Sequence, residues 1–226
     1  MLSATEACML KLRHPKVASK IDFIYNSIKL PSSFRKEGSR ECIRVVFAGR
    51  LVEEKGIRTF IDLARKQRER RQTFHIFGNG PLLDLVSLEV SRNDNLFYEG
   101  VFSISGALEA LQNFDVLVLP SLSGEGMPMV ILEAMSCGVV PIATQLGSIP
   151  EIIASGDRGY LISPGDVDLC AQLIDGLDQD PELLSAISDR AKLYAKDNFN
   201  AKVNTKGFLE VYRKLSCRND LAKFRS

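Results

Sequence analysis

The sequence has few of the residues that build metal sites and disulfide frameworks. It contains only two histidines, His14 and His75, and its five cysteines are widely separated and form no CxxC pair. We therefore expect neither a zinc centre nor a disulfide-stabilised fold, and the scattered thiols favour a reducing compartment. His75 lies inside the strand-like run TFHIF, which predicts a packed side chain and not a metal ligand.

The sequence also lacks a strong net charge and long apolar runs. Its 29 basic and 28 acidic residues leave a net charge of +1, so no strong field draws the chain to nucleic acid. No apolar run approaches the ~20 residues of a membrane span. The N-terminus MLSATEACMLKLRHP has neither the basic start nor the long apolar core of a signal peptide. We expect a soluble, cytoplasmic protein.

One basic segment, RKQRERR (65–71), stands out from this balance. We interpret it as a solvated helix end whose cations suit the negative C-terminal dipole. The alternative is a peripheral contact with anionic lipid headgroups at the inner face of a membrane.

Short apolar runs rich in Val, Ile and Phe alternate with longer amphipathic stretches along most of the chain. This alternation predicts an α/β fold, Rossmann-like, with a parallel sheet and helices on both faces. The predicted strands are 42–49, 73–78, 95–100, 115–120, 139–144 and 159–163. The predicted helices are 56–70, 81–92, 104–113, 128–137, 149–154, 165–177, 181–197 and 201–215. The first forty residues differ, with one strand at about 21–25 followed by the linker-like LPSSFRKEGSRE.

In an open parallel sheet, ligands bind outside the carboxyl ends of the strands, so the loops that leave those ends are candidate sites. AGRLVEEKG follows the first strand, where Gly49 permits a sharp turn and Arg50 and Lys55 flank it. Two cations beside a helix N-terminus suit a phosphate or diphosphate. The alternative is that both cations pair with Glu53 and Glu54 in water.

Two further loops bring backbone to the same edge of the sheet. FGNGP places Gly78 after the second strand; it is not a GxGxxG fingerprint, and a tight turn explains it equally well. FYEGVF places Val101 beside Gly100, where backbone groups and apolar surface suit a flat base. A turn with core residues beside it is the alternative.

The stretch SGEGMPMVILEAM sets two carboxylates in apolar surroundings. Glu125 lies just before a helix predicted to start at Pro128, and the N–H groups of Gly126 and Met127 are expected to face the same space. Glu133 lies about one and a half turns inside that helix, where an unpaired carboxylate costs several kcal/mol. It needs either an arginine from a neighbouring helix or a ligand with two hydroxyls, such as a ribose. With the cations of the first loop, these carboxylates describe a nucleotide-sugar site.

These motifs resemble the C-terminal, donor-binding domain of retaining glycosyltransferases with the GT-B fold, specifically the large family four. The matching stretches, in the family's order, are FAGRLVEEKG, FGNGP, FYEGVF, DVLVLPS, EGMPMVILEAMSCGVVPIAT and GSIPEII. The two glutamates separated by seven residues, Glu125 and Glu133, are the most specific part of the resemblance.

The resemblance implies a role for each candidate residue. Glu133 is expected to hold the nucleotide ribose, and Glu125 the hydroxyls of the transferred sugar. Arg50 and Lys55 are expected to neutralise the leaving diphosphate, and with Glu125 they form the predicted catalytic set. The remaining predicted contacts with the nucleotide sugar are Gly49, Gly78, Val101, Gly126, Met127 and Pro128. The implied donor is a UDP- or GDP-sugar, with no cofactor and no metal.

Two features depart from the family pattern. Pro128 stands where many relatives have glycine, which removes one N–H donor. From the resemblance we expect the acceptor-binding N-terminal domain of GT-B enzymes to be missing from this chain or supplied by another, and the isolated chain to be inactive. We therefore divide the chain into residues 1–40, the remnant of an N-terminal domain and linker, 41–197, a Rossmann-like nucleotide-sugar-binding domain, and 198–226, a C-terminal helix and tail.

The function implied is hexosyl transfer with retention, from a nucleotide sugar to a glycan or lipid-linked acceptor in polysaccharide biosynthesis. The alternative is a non-catalytic nucleotide-sugar-binding module or a subunit of an assembly. An epimerase or a phosphorylase of the same fold would need acid–base residues or a pyridoxal lysine context that the sequence does not show. A Rossmann oxidoreductase is disfavoured because GNGP is a poor dinucleotide fingerprint.

Overall fold

The computed structural model describes residues 4–31, 42–103 and 106–223, and its centre is a parallel β-sheet. The strands are β1 (Arg44–Ala48), β2 (Thr73–Phe77), β3 (Leu96–Gly100), β4 (Val116–Leu119), β5 (Val140–Thr144) and β6 (Tyr160–Ile162). Their order is β3-β2-β1-β4-β5-β6, and every neighbouring pair is parallel. The predicted Rossmann-like α/β architecture is confirmed.

Helices connect and cover the strands. They are α1 (Ala4–Arg13), α2 (Ile57–Lys66), α3 (Leu83–Val90), α4 (Ala107–Leu111), α5 (Met129–Ser136), α6 (Ile149–Ile152), α7 (Val167–Gln179), α8 (Pro181–Asn198) and α9 (Ala201–Lys223), with 3₁₀ helices at Pro15–Lys20 and Glu53–Lys55. Each strand and helix predicted after residue 41 is present, with ends shifted by a few residues and the last helix longer than expected. The predicted start of the fourth helix, at residues 104 and 105, lies outside the described residues.

The N-terminal segment differs from the prediction. Helix α1 and the 3₁₀ helix after it were not expected, and the strand predicted at about 21–25 is absent. Instead, the extended segment makes one parallel bridge, between Ile28 and Asn200, at the start of α9. It forms no strand because it lies against helices α8 and α9 and not along a sheet edge with a row of free hydrogen-bonding groups. The predicted linker lies outside the described residues from position 32 onward.

Alternating residues of the central strand β4 face two different helical layers. Val116 and Val118 pack in a cluster with residues of α2 and α7, whereas Leu117 and Leu119 pack in a second cluster with residues of α5 and α8. All four side chains are buried. Burial on both faces explains why the run VLVL shows no polar alternation.

Local signals in the sequence set the helix ends that matter for the site. Gly138 adopts a positive φ of 78° directly after Cys137, the residue that caps the C-terminus of α5, as predicted for a glycine stop. Pro181 is the first residue of α8, and the Asp180 carboxylate accepts the N–H of Leu183 at 2.9 Å. Helix α5 is therefore short and fixed in register against the sheet.

The strand order reverses between β1 and β4. The chain runs from β1 outward through β2 and β3, then returns to β4 on the other side of β1. Such a reversal leaves a crevice outside the carboxyl ends of the two central strands, and this crevice is where open α/β sheets bind ligands. The loops that border it here are 49–56 after β1 and 120–128 after β4.

We predict that Phe60→Ala removes a principal support of the layer formed by α2. Phe60 is fully buried, and its ring centroid lies 5.5 Å from that of Phe47 and 5.8 Å from that of Phe74. The free energy of unfolding, measured by urea denaturation, should fall by ~3–5 kcal/mol because a cavity replaces the ring. Leu88→Ala, at a 46% exposed position in α3, is the control and should change it by less than ~0.5 kcal/mol. An equal loss of unfolding free energy in the two variants would show that Phe60 is not a principal support of the α2 layer.

Candidate functional site

The two loops that border the crevice are joined through their backbones. The N–H of Leu122 donates to the carbonyl of Glu54 at 2.8 Å. Gly56 adopts a φ of 71°, and a Cβ at this position would lie 1.9 Å from the carbonyl oxygen of Pro120. Only glycine permits this close approach, so the backbone fixes the distance across the crevice.

Lys55 and Glu125 meet across the crevice. The lysine Nζ lies 2.7 Å from Oε1 of the glutamate, and the hydroxyl of Ser121 donates to the same oxygen at 2.5 Å. The Glu125 side chain is 4% exposed and that of Lys55 is 29% exposed. The nearly buried carboxylate thus has two partners, one partly exposed cation and one buried hydroxyl.

The pairing expected as an alternative within the first loop is not found. Glu53 instead binds Nε of Arg58 at 2.8 Å, and Lys55 is engaged across the crevice. Arg50 is exposed and forms no ion pair with any residue that the structure describes. It is therefore a solvent-facing cation at the start of the loop that borders the crevice.

A chain of hydroxyl groups supports Glu125 from the sheet. Thr144 Oγ1 donates to the carbonyl of Ser121 at 2.7 Å, and the Ser121 hydroxyl donates in turn to the glutamate. Both hydroxyl residues are fully buried. Sequence reasoning did not single them out, although a signal existed: Thr144 ends a buried strand, and Ser121 follows one by two positions.

The loop after β5 fixes the other side of the loop after β4. The hydroxyl of Ser148 donates to the carbonyl of Gly126. Gly147 adopts a φ of 54°, and a Cβ there would lie 1.6 Å from the carbonyl oxygen of Glu125. The backbone beside the catalytic candidate Glu125 is therefore held by two different loops.

Helix α5 begins one residue later than predicted. Pro128 has an extended backbone, with φ −70° and ψ 108°, and its carbonyl accepts the N–H of Ile131 at 3.1 Å. This is the geometry of an N-cap residue, which stays outside the helix while its carbonyl accepts the first helical bond. Met127, half-buried, packs against the core beneath the loop.

Glu133 lies on the fifth residue of α5, as predicted, among partly buried apolar side chains that include Met129, Val130 and Cys137. Desolvation by burial raises the pKa of its carboxyl group. No hydrogen bond or ion pair joins this carboxylate to any residue that the structure describes, so the internal arginine considered above is not found there. Its oxygens keep their hydrogen-bonding capacity for a ligand.

The remaining predicted residues lie along the same edge. Gly49 donates its N–H to the carbonyl of Phe77 at 3.0 Å, and Gly78 donates to that of Gly100 at 2.8 Å. A Cβ at Gly78 would lie 1.9 Å from the carbonyl oxygen of Gly49, which explains the glycine at this turn. Val101 is 62% exposed. The structure therefore brings every predicted site residue to the carboxyl edge of the sheet or to α5 beside it.

The described ranges 4–31, 42–103 and 106–223 contain no group of three or more His, Cys, Asp or Glu side chains that could hold a metal ion. His75 is buried, as predicted, with Nδ1 2.7 Å from Glu99 and Nε2 3.0 Å from Thr73. In the same ranges no helix has the length and apolarity needed to cross a bilayer.

The basic segment 65–71 forms the end of α2 and the turns after it. Arg65 binds Asp62 at 2.9 Å and Glu89 at 2.6 Å, and Lys66 binds Asp168 at 2.5 Å. These acidic partners and the helix C-terminus agree with the interpretation as a solvated helix end. Contact with lipid stays an untested alternative.

The chain is similar to proteins of one family. The family model described as "Glycosyl transferases group 1" matches residues 31–194. An exopolysaccharide phosphotransferase of Streptomyces coelicolor is 30% identical over 216 residues, 91% of this chain and 22% of the relative. A relative named as a colanic acid biosynthesis glycosyltransferase of Escherichia coli is 29% identical over 177 residues, 71% of this chain and 42% of the relative. The chain thus spans less than half the length of these relatives.

The fold is similar to that of a solved structure. A mutant of TarM from S. aureus, crystallised in complex with fondaparinux, α-GlcNAc-glycerol and UDP, superposes with a TM-score of 0.74. The sequence identity is 20%, and the match covers 93% of this chain and 43% of the TarM chain. At 20% identity this similarity supports a shared fold and nothing further.

We predict that Glu133→Gln stabilises the protein in the absence of ligand. The folded-state pKa of Glu133 is raised above the unfolded one, so the carboxyl group favours folding at low pH and this contribution is lost as the pH rises through the folded pKa. At pH 7 the neutral amide avoids that loss, and urea denaturation should show a gain of roughly 0.5–2 kcal/mol.

The pH dependence supplies the check on this prediction. Below the ordinary glutamate pKa of about 4.3 the carboxyl group is neutral in both states, so the advantage of the amide should disappear. Glu109→Gln, at an exposed position of α4, is the matched control. A loss of stability at pH 7 in Glu133→Gln alone would show that the carboxylate has a structural partner.

Proposed function

The chain belongs to the glycosyl transferases of group 1, which have the GT-B fold, and from this we propose that it is the donor-binding half of a retaining, family-four hexosyltransferase. The observation that carries the proposal is a half-buried carboxylate, Glu133, which has no hydrogen-bond or ion-pair partner among the described residues and lies near the crevice that holds the Lys55–Glu125 pair. The proposed ligand is a nucleotide sugar. In this proposal Glu133 binds the ribose, the cations of the loop after β1 bind the diphosphate, and Glu125 binds the transferred sugar.

Glu133 meets the ribose in this proposal. An ionised carboxylate accepts two hydrogen bonds side by side, and the vicinal hydroxyls of a ribose donate two at matching spacing. Binding would offset the cost of burying the charge, which no residue within the described ranges compensates. Val101, exposed after β3, provides apolar surface for the base.

Arg50 and Lys55 meet the diphosphate. Both lie in the loop after β1, and Lys55 closes that loop, one residue before the glycine that precedes α2. Cations at this place neutralise the charge that develops on the leaving group, which is the part a metal ion plays in other transferases. The crystal structure of the TarM mutant contains UDP, which supports a nucleoside diphosphate as the leaving group.

Glu125 meets hydroxyls of the transferred sugar. Its carboxylate is held by Lys55 and Ser121, and its backbone is held by the Gly147 turn. A group fixed on several sides loses little entropy when it binds substrate, which favours a catalytic position. Pro128 has no N–H to donate, and in this proposal the N–H groups of Gly126 and Met127 face the sugar.

The transfer reaction is proposed for a longer protein. The chain spans less than half the length of the relatives described above, and we propose that an acceptor-binding domain, in the same polypeptide or in another chain, supplies the opposite wall. The glycosyltransferase of colanic acid biosynthesis supports a glycan or lipid-linked acceptor in polysaccharide synthesis.

The rival proposal is a module that binds the donor and does not catalyse transfer. The Lys55–Glu125 pair favours the enzyme, because a binding module has no need to hold a buried carboxylate beside the diphosphate site. Thermal-shift screening with UDP-, GDP- and ADP-sugars would identify the donor. An assay of sugar transfer after the acceptor domain is supplied would separate the two proposals, because only the enzyme would transfer the sugar.

We predict that Glu133→Gln weakens nucleotide binding by ~1.5–3 kcal/mol, the range for a hydrogen bond to a charged group. Calorimetry on the folded variant, with the nucleotide selected by the screen, measures the loss. Glu109→Gln should bind like the wild type because its carboxylate is exposed on α4. Unchanged affinity in Glu133→Gln would remove the ribose assignment.

We predict that Arg50→Ala weakens binding of the nucleoside diphosphate by ~1.5–3 kcal/mol and leaves binding of the nucleoside nearly unchanged. Arg50 is the cleaner test because Lys55 also neutralises Glu125. Rising salt should narrow the difference between wild type and variant. Arg58→Ala, which removes an exposed partner of Glu53, is the control. Equal losses for both ligands would mean that Arg50 supports the fold and not the diphosphate site.

A further inference from the structure

Glu151 in α6 binds the N-terminus of the distant helix α1. Its carboxylate accepts the N–H of Ala4 at 3.0 Å and that of Thr5 at 2.8 Å. The hydroxyl of Tyr25 donates to the same carboxylate at 2.9 Å. These donors come from a part of the chain more than a hundred residues away from Glu151.

The first turn of α1 also lies near the loop after β4. Oε1 of Glu6, in the first turn of α1, lies 3.8 Å from the position that a Cβ would take at Gly126. Ser148, directly before α6, donates its hydroxyl to the carbonyl of Gly126. Three segments therefore lie close together: the loop 123–128, α6 with Ser148 before it, and the first turn of α1.

Electrostatics explain why the carboxylate holds the helix. The first N–H groups of a helix have no partner within it and carry the positive end of the helix dipole, so an acceptor with negative charge stabilises them. Desolvation opposes ionisation of Glu151, but hydrogen bonds from Thr5, Tyr25 and Ala4 outweigh it and lower the pKa of its carboxyl group. Burial, and then the bond to Glu151, raise the pKa of Tyr25 to about 12.

We propose that Glu151 is a positioning residue that holds α1 against the loop 123–128, so that α1 forms one wall of the donor site. A Cβ at Gly126 would lie 3.8 Å from Oε1 of Glu6, an ordinary van der Waals distance, so the loop and the first turn of α1 are neighbours. The ligand that the wall faces rests on the proposed function above, whereas the attachment of α1 does not. Glu151 touches neither the donor nor the reacting atoms in this proposal.

Hydrogen–deuterium exchange on the whole chain tests the attachment without any ligand. In Glu151→Ala, residues 4–13 and the loop 123–128 should both exchange about tenfold faster than in the wild type, because a helix loses its N-terminal acceptor. Glu151→Gln should show a smaller change, since the amide oxygen still accepts but the charge is gone. Glu182→Ala, an exposed acidic residue in the first turn of α8, is the matched control and should leave both segments unchanged.

Two results would overturn the proposal. Unchanged exchange of residues 4–13 in Glu151→Ala would show that the carboxylate does not hold α1. Faster exchange of α1 alone, with the loop 123–128 protected as before, would show that α1 is not a wall of this site. Binding of the UDP-, GDP- and ADP-sugar panel to the wild type tests the proposed function separately, so a failure there is distinguishable from a failure of the attachment.

Discussion

The ion pair between Lys55 and Glu125 is the interaction on which the candidate site depends. It joins the two loops that border the crevice, and it gives a carboxylate with 4% side-chain exposure a cationic partner there. Removing Lys55 would leave this nearly buried carboxylate without an ion-pair partner among the described residues. The hydroxyl of Ser121 fixes the direction of the carboxylate, and Thr144 fixes the backbone of Ser121 in turn. Buried residues at the ends of β4 and β5 therefore position the Glu125 carboxylate.

Backbone contacts set the shape in which this pair forms. Gly56, Gly78 and Gly147 each bring a loop within a distance of a neighbouring carbonyl that no Cβ would allow. Because these contacts join backbone to backbone, the positions of the loops depend little on side-chain rotamers. The pair of Lys55 and Glu125 is consequently preorganised, which is what a site for a developing charge requires.

Glu133 differs from Glu125 because its half-buried carboxylate has no ion-pair partner among the described residues. Burial raises the pKa of its carboxyl group, and no described residue compensates the charge. We therefore expect the protein alone to be less stable than it would be with a neutral side chain of the same shape. A carboxylate that lowers stability in the absence of ligand is what we expect at a binding position, because a structural carboxylate stabilises the protein without ligand.

The sequence by itself determined the order of strands and helices after residue 41, the parallel sheet and the edge at which the candidate site lies. Those features follow from local patterns: the apolar runs, the glycines after strands, and the carboxyl-end rule for open sheets. Only the tertiary structure decided the partners. Lys55 was expected either to bind diphosphate or to pair with its sequence neighbours, yet it meets Glu125 seventy positions away. Helix α1 and its attachment to Glu151 were not expected at all, because no local pattern records which distant carboxylate a helix end will meet.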